Sequence, residues 1–121
     1  MCTDHLSAKQ IATEDIVCYK HIMKVGRKYV TSYQETPITF RKMMTSDVIV
    51  ENPEGKSWIN VGLHSYIRQE EAEYQANSLS EVLVKCVIPK GSEYYEGRFL
   101  WDPAYVSNQL IYKRVIKNYQ S

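Results

Sequence analysis

Six side chains of this 121-residue chain join a chemically useful type to a useful position: His64, Ser65, Tyr94, Tyr95, Ser107 and Asn108. His64 and Ser65 stand in Val61-Gly62-Leu63-His64-Ser65-Tyr66, where a strand-like run gives way to a Glu-rich stretch. Gly62 permits close backbone approach, and a polar pair emerging at the carboxyl end of a strand is a common ligand position. The competing reading is structural: His64 hydrogen-bonds a neighbouring loop, and Ser65 starts or caps a helix. Tyr94 and Tyr95 follow the turn residues Pro89-Lys90-Gly91-Ser92. Adjacent strand residues point to opposite faces, so one tyrosine packs while the other is presented as a ligand wall or interface. The plainer alternative is a hairpin rim. Asn108, after Ser107, caps, turns or binds.

Other reactive types read as packing. His21 lies in the middle of an apolar face, where a general base would lack access to substrate. Cys18 and Cys86 also fall on strand faces, without a neighbourhood that favours a thiolate. With Cys2 they make an odd number of cysteines and no C-x-x-C pair, which argues against a disulfide framework or a zinc site and for a reducing compartment, the cytoplasm. His5, His21 and His64 have no metal-ligand spacing, so no metal is expected. No phosphate loop, dinucleotide fingerprint, H-E-x-x-H or nucleophile elbow occurs. No catalytic residue is assigned, and no cofactor is expected from the residues alone.

The elements that must position these residues are mostly strands. Ile16 to Val25 alternates with a period of two, placing Val17, Tyr19, His21, Met23 and Val25 on a core face and the mixed set Ile16, Cys18, Lys20, Ile22 and Lys24 on the other. Gly26-Arg27 turns it into a returning strand over 28–32. Ile38 to Phe40 reads as a short strand, followed by Asp47 to Glu51, the turn Asn52-Pro53-Glu54-Gly55, and Trp58 to Val61. Gln69 to Leu79 reads as the principal helix, with carboxylates at its first turn and Ala72, Ala76 and Leu79 as a narrow stripe. Glu81 to Ile88 reads as a central strand. Tyr94 to Leu100 is a further short strand, Asp102-Pro103 a turn, and Leu110 to Ile116 a final strand favoured over a basic helix. Residues 1–14 read as a loose arm or a short helix.

Length sets one domain over 1–121, and the predicted class is α+β: a mostly antiparallel sheet of five to seven strands with one helix over 69–79. A net charge of +1 points to neither nucleic acid nor an anionic membrane. No run is apolar for the roughly 20 residues of a membrane-spanning helix, and the first residues do not read as a secretory signal. Ten of the fourteen aromatics are tyrosines. Tyr94, Tyr95 and Tyr105 gather near the late turn, where exposure would mark a binding surface.

Gly62-Leu63-His64-Ser65, the Glu/Ala-rich stretch, Val84-Lys85-Cys86-Val87-Ile88-Pro89-Lys90-Gly91-Ser92-Glu93-Tyr94-Tyr95 and Tyr105-Val106-Ser107-Asn108-Gln109-Leu110 follow in an order that resembles a family of small uncharacterised proteins. That family is carried by gut Bacteroidales and their phages, including crAss-like phages, and the likeness covers roughly residues 16–117. It implies a phage or mobile-element setting and a non-catalytic domain binding a host or phage protein or a small ligand. A looser likeness is to the ADP-ribosyltransferase-like fold. It implies NAD as ligand, with His64 holding the ribose and Tyr94 or Tyr95 stacking on the nicotinamide ring. Ser107-Asn108 stands where that fold carries its late catalytic glutamate, so the likeness implies a binding-only version.

Overall fold

The computed structural model describes residues 3–4, 6–31, 37–51, 57–75, 81–99 and 102–118. Twelve strands, all paired antiparallel, form one sheet that curls into a half-barrel. They are β1 (Thr3–Asp4), β2 (Gln10–Ile11), β3 (Ile16–Val25), β4 (Lys28–Thr31), β5 (Met43–Thr45), β6 (Ile49–Glu51), β7 (Trp58–Val61), β8 (Leu63–Tyr66), β9 (Glu81–Ile88), β10 (Glu93–Phe99), β11 (Asp102–Ser107) and β12 (Gln109–Asn118). The main path runs β5-β12-β9-β3-β8-β11-β10-β1-β7-β6, with β4 added to β3 and β2 to β10.

The α+β class with five to seven strands and a principal helix is therefore corrected. The one helix among the described residues, α1, covers Gln69–Gln75. Residues 76 and 79 of the expected stripe lie outside the described set, as do Cys2, His5, Tyr33, Tyr119 and the turn expected over 52–55. The excess strands arise where a period of two has no room to show. β1, β2, β5 and β6 hold two or three residues each. Leu63 to Tyr66 continues the sheet directly from β7, instead of leading into the helix. Asp102-Pro103 opens β11 rather than a turn, a position proline tolerates because it comes at the start of the strand. The N-terminal segment is no loose arm where it is described: β1 bridges β10 and β7, and β2 pairs with β10.

The long alternating runs behave as their periodicity requires. β3 and β4 form a hairpin through Gly26 (φ 62°), and β9 lies centrally between β12 and β3. The face assignment of β3 is the surprise. Val17 and Val25 of the expected core face are exposed, whereas Cys18, Lys20 and Ile22 of the mixed face are buried. Both faces are in fact covered. On one, Cys18, Ile22, Val82, Val84, Cys86, Leu110 and Tyr112 make the larger apolar cluster. On the other, Tyr66, Leu83, Phe99, Ala104 and Ala72 of α1 make the smaller. Lys117 of β12 ion-pairs with Glu73, tying α1 to the sheet.

Candidate functional site

The sheet register sends five of the six sequence candidates to two different faces, and Asn108 lies in the bend between β11 and β12. Tyr94 lies opposite Ser107, and Tyr105 opposite Ser65, so Ser65, Tyr94 and Ser107 share the face of the larger cluster. Tyr95 lies opposite Val106, which lies opposite His64, so Tyr95 and His64 share the other face. Adjacent tyrosines thus diverge as strand geometry demands. No single concave site collects all six.

His64 is buried, and both ring nitrogens are committed. Nδ1 is 3.1 Å from the Gly62 carbonyl oxygen and Nε2 is 3.2 Å from the Ile59 carbonyl oxygen. Burial pushes its pKa down to about 4, against the pull of those two carbonyls, and the Lys20 charge adds to the lowering. A neutral imidazole carries one N–H, so it donates to one carbonyl only. These are local contacts across the Gly62 connection, where β7 passes directly into β8 although the two strands lie four steps apart along the sheet path. The backbone-bonding role read as the alternative for His64 is what the structure shows. Ser65 does not cap α1; it sits in β8, fully buried.

Ser107 and Asn108 fasten the β11–β12 connection. The Ser107 hydroxyl donates to the Gln109 carbonyl at 2.9 Å, with the Leu63 carbonyl at 3.4 Å. The Glu93 N–H donates to Asn108 Oδ1 at 2.9 Å, and the Asn108 N–H donates back to the Glu93 carbonyl at 3.1 Å. The Ser46 N–H donates to the Asn108 carbonyl at 3.0 Å. Beside this clamp lies an open polar cavity of about 280 Å³ lined by Thr45, Ser46, Asp47, Asn108 and Gln109. Tyr94 packs edge-on against Tyr105, with ring centres 5.7 Å apart, and its hydroxyl donates to Gln10 Oε1 at 3.1 Å. Tyr94 and Tyr95 are each half-buried.

Reactive groups elsewhere are quenched by burial. Cys18 and Cys86 oppose each other across β3 and β9 as free, buried thiols. Desolvation pushes Cys18 up to about 12 and raises Cys86 well above the ordinary thiol range. His21 ion-pairs with Glu81 and stacks on Tyr66 at 5.9 Å. Among the described residues, no group of three or more His, Cys, Asp or Glu side chains gathers to hold a metal. No helix among them is long and apolar enough to cross a membrane. The sequence reading missed Lys20, a lysine buried on the core face of β3. An alternating strand with lysines at 20 and 24 looks solvated on that side, and no local signal says otherwise. No family model, curated protein or solved structure matches the chain.

Proposed function

We propose that this chain is a non-catalytic, protein-binding domain that receives an extended segment of its partner on the outer edge of β6. The observation that supports this reading is the concentration of exposed apolar side chains on the β6–β7 hairpin. Among the described residues, Ile49, Val50, Trp58 and Val61 are four of the eight large apolar residues left exposed. β6 also ends the sheet path, so its outer backbone groups have no neighbouring strand among the described residues. An open edge of this kind is a template for an added strand, with main-chain hydrogen bonds giving affinity and side-chain contacts giving specificity. The opposite edge, β5, is preceded by Arg41 and Lys42, a charge pattern that discourages strand addition. β6 has no cation, and its one carboxylate, Glu51, is occupied by the Trp58 indole N–H at 2.7 Å.

A phage or mobile-element setting, with a cytoplasmic host or phage protein as the partner, rests on the resemblance carried by residues 62–65, 84–95 and 105–110. The NAD-binding reading has no observation in its favour. His64 is spent on backbone carbonyls and Tyr94 lies on the other face of the sheet.

The test compares the wild-type chain with Val50→Lys and Ile49→Lys, each checked by circular dichroism for an unchanged melt. Immobilised on a resin, wild type retains a partner from a Bacteroidales host lysate, and both edge variants lose it. A thermal-shift screen against NAD and nucleotides gives no displacement. Equal retention by the variants, or a saturable stabilisation by NAD, overturns the reading.

A further inference from the structure

We propose that the face carrying the larger apolar cluster holds a binding site for an oxyanion, the carboxylate or phosphate group of a small ligand, with Lys20 and Ser65 as its donors and Tyr105 at its mouth. The site is independent of the β6 edge.

The starting observation is a surplus of donors. Lys20 is only 9% exposed, and no ion pair or hydrogen bond joins its amine to a described residue, although the amine is not among the fully enclosed polar atoms that lack a partner. In the antiparallel ladder Tyr19 faces Tyr66, so the next pair places Lys20 opposite Ser65 on the same face. Ser65 is fully buried; its Oγ leans on the weak thiol of Cys18 and meets no stronger partner among the described residues. The Tyr112 hydroxyl, on the same face through the row Tyr112-Cys86-Cys18, is also buried without a partner. The Lys20 amine and the Ser65 and Tyr112 hydroxyls can all donate, and the described residues give the two hydroxyls no partner of ordinary strength.

Buried polar groups left unsatisfied are rare in folded proteins and costly. Groups without acceptors are matched by a ligand group that only accepts. A carboxylate or phosphate does this, and its bonds to an ammonium are of the strong, charge-assisted type. Burial lowers the Lys20 pKa, with the Cys86 and Cys18 thiols opposing weakly. A bound anion would restore the charge.

The row gives a direction of entry. From Lys20 it passes through Ser65 to Tyr105 and on to Glu96, which is exposed. Tyr105 is half-buried, and its hydroxyl forms no hydrogen bond among the described residues. Glu96 at the outer end disfavours a second negative group there. The fitting ligand therefore has one acidic group placed inward and a neutral or cationic remainder toward Glu96.

The test is a titration of the full chain, labelled for side-chain NMR, with sodium phosphate and separately with sodium acetate. Sodium chloride at matched ionic strength is the control. The Lys20 Cε–Hε resonances shift saturably with at least one oxyanion and not with chloride, and the responding ion separates a phosphate ligand from a carboxylate one. Lys20→Met, which keeps the length and removes the charge, melts at or above the wild-type temperature and loses the thermal shift produced by that ion. Ser65→Ala weakens binding by about tenfold, the loss expected for one hydrogen bond to a charged group. No response to either oxyanion, a response equalled by chloride, or an undiminished thermal shift in Lys20→Met overturns the proposal.

Discussion

His64 on β8 reaches the backbone carbonyl of Ile59 on β7 at 3.2 Å, joining two strands that the sheet path keeps four steps apart. Burial holds the ring in its neutral form, so the stability of the fold around it depends on pH. The folded value near 4 lies below the ordinary 6.5. Between those values the unfolded chain binds more protons than the folded one, so stability rises with pH across the window. The contribution is full above about pH 6.5 and is lost as pH falls toward 4, by about 3 kcal/mol in all. Burial lowers the His21 pKa too and acts in the same direction. Urea unfolding from pH 7.5 to 4 should show this fall, and His64→Gln should flatten part of it. A stability unchanged from pH 7 to 4.5 would contradict the assignment.

Gly62, between β7 and β8, makes the same closure possible. Its φ is 155°, and a Cβ there would lie 2.5 Å from Val106 Cγ1. Val106 is fully buried and β-branched, so it has little freedom to yield. Gly62→Ala should destabilise the chain by about 2–4 kcal/mol through strain and overpacking together. Gly26 offers the control: its φ is 62° in the β3–β4 turn, but a Cβ meets nothing within 4 Å. Gly26→Ala should cost about 1 kcal/mol, from backbone strain alone. Equal losses in denaturant melts would mean that the Val106 contact is not limiting.

These contacts mark the border of what the sequence made legible. The runs of eight and ten residues, β3 and β9, announced themselves by alternation, and the opposite facing of Tyr94 and Tyr95 followed from the same period. β1, β2, β5 and β6 are too short to carry a period and exist because longer strands receive them. Pro103 read as a turn because the dipeptide Asp102-Pro103 carries a turn signal, whereas its strand pairing comes from Arg98 on β10 and from β8, the latter remote in sequence. Lys20 was hidden for a related reason: alternation fixes which residues share a face, not which face is buried deeper. For His64 the residue type was informative and the role was structural.

Cys18 and Cys86 allow a direct check of that burial. Both thiols are fully buried and raised by desolvation, so the reactive thiolate is scarce at neutral pH. In a Cys2→Ser background neither should react with Ellman's reagent in the native protein, and both should react within minutes in 6 M guanidinium. Rapid labelling in native buffer would show that the β3–β9 face opens readily.

The His21–Glu81 pair should behave as a buried, directly contacting pair whose partners depend on each other. His21 of β3 and Glu81 of β9 are each less than a tenth exposed, and His21 also stacks on Tyr66. Glu81→Leu takes the carboxylate from the imidazole, and His21→Phe takes the imidazole from the carboxylate. Each single change should destabilise by about 3–5 kcal/mol, whereas the double variant, with an apolar pair of similar volume, should recover most of the loss. The coupling is read from a double-mutant cycle in urea. Additive losses in the cycle would mean that the two side chains stabilise the fold separately, through packing on Tyr66 rather than through each other.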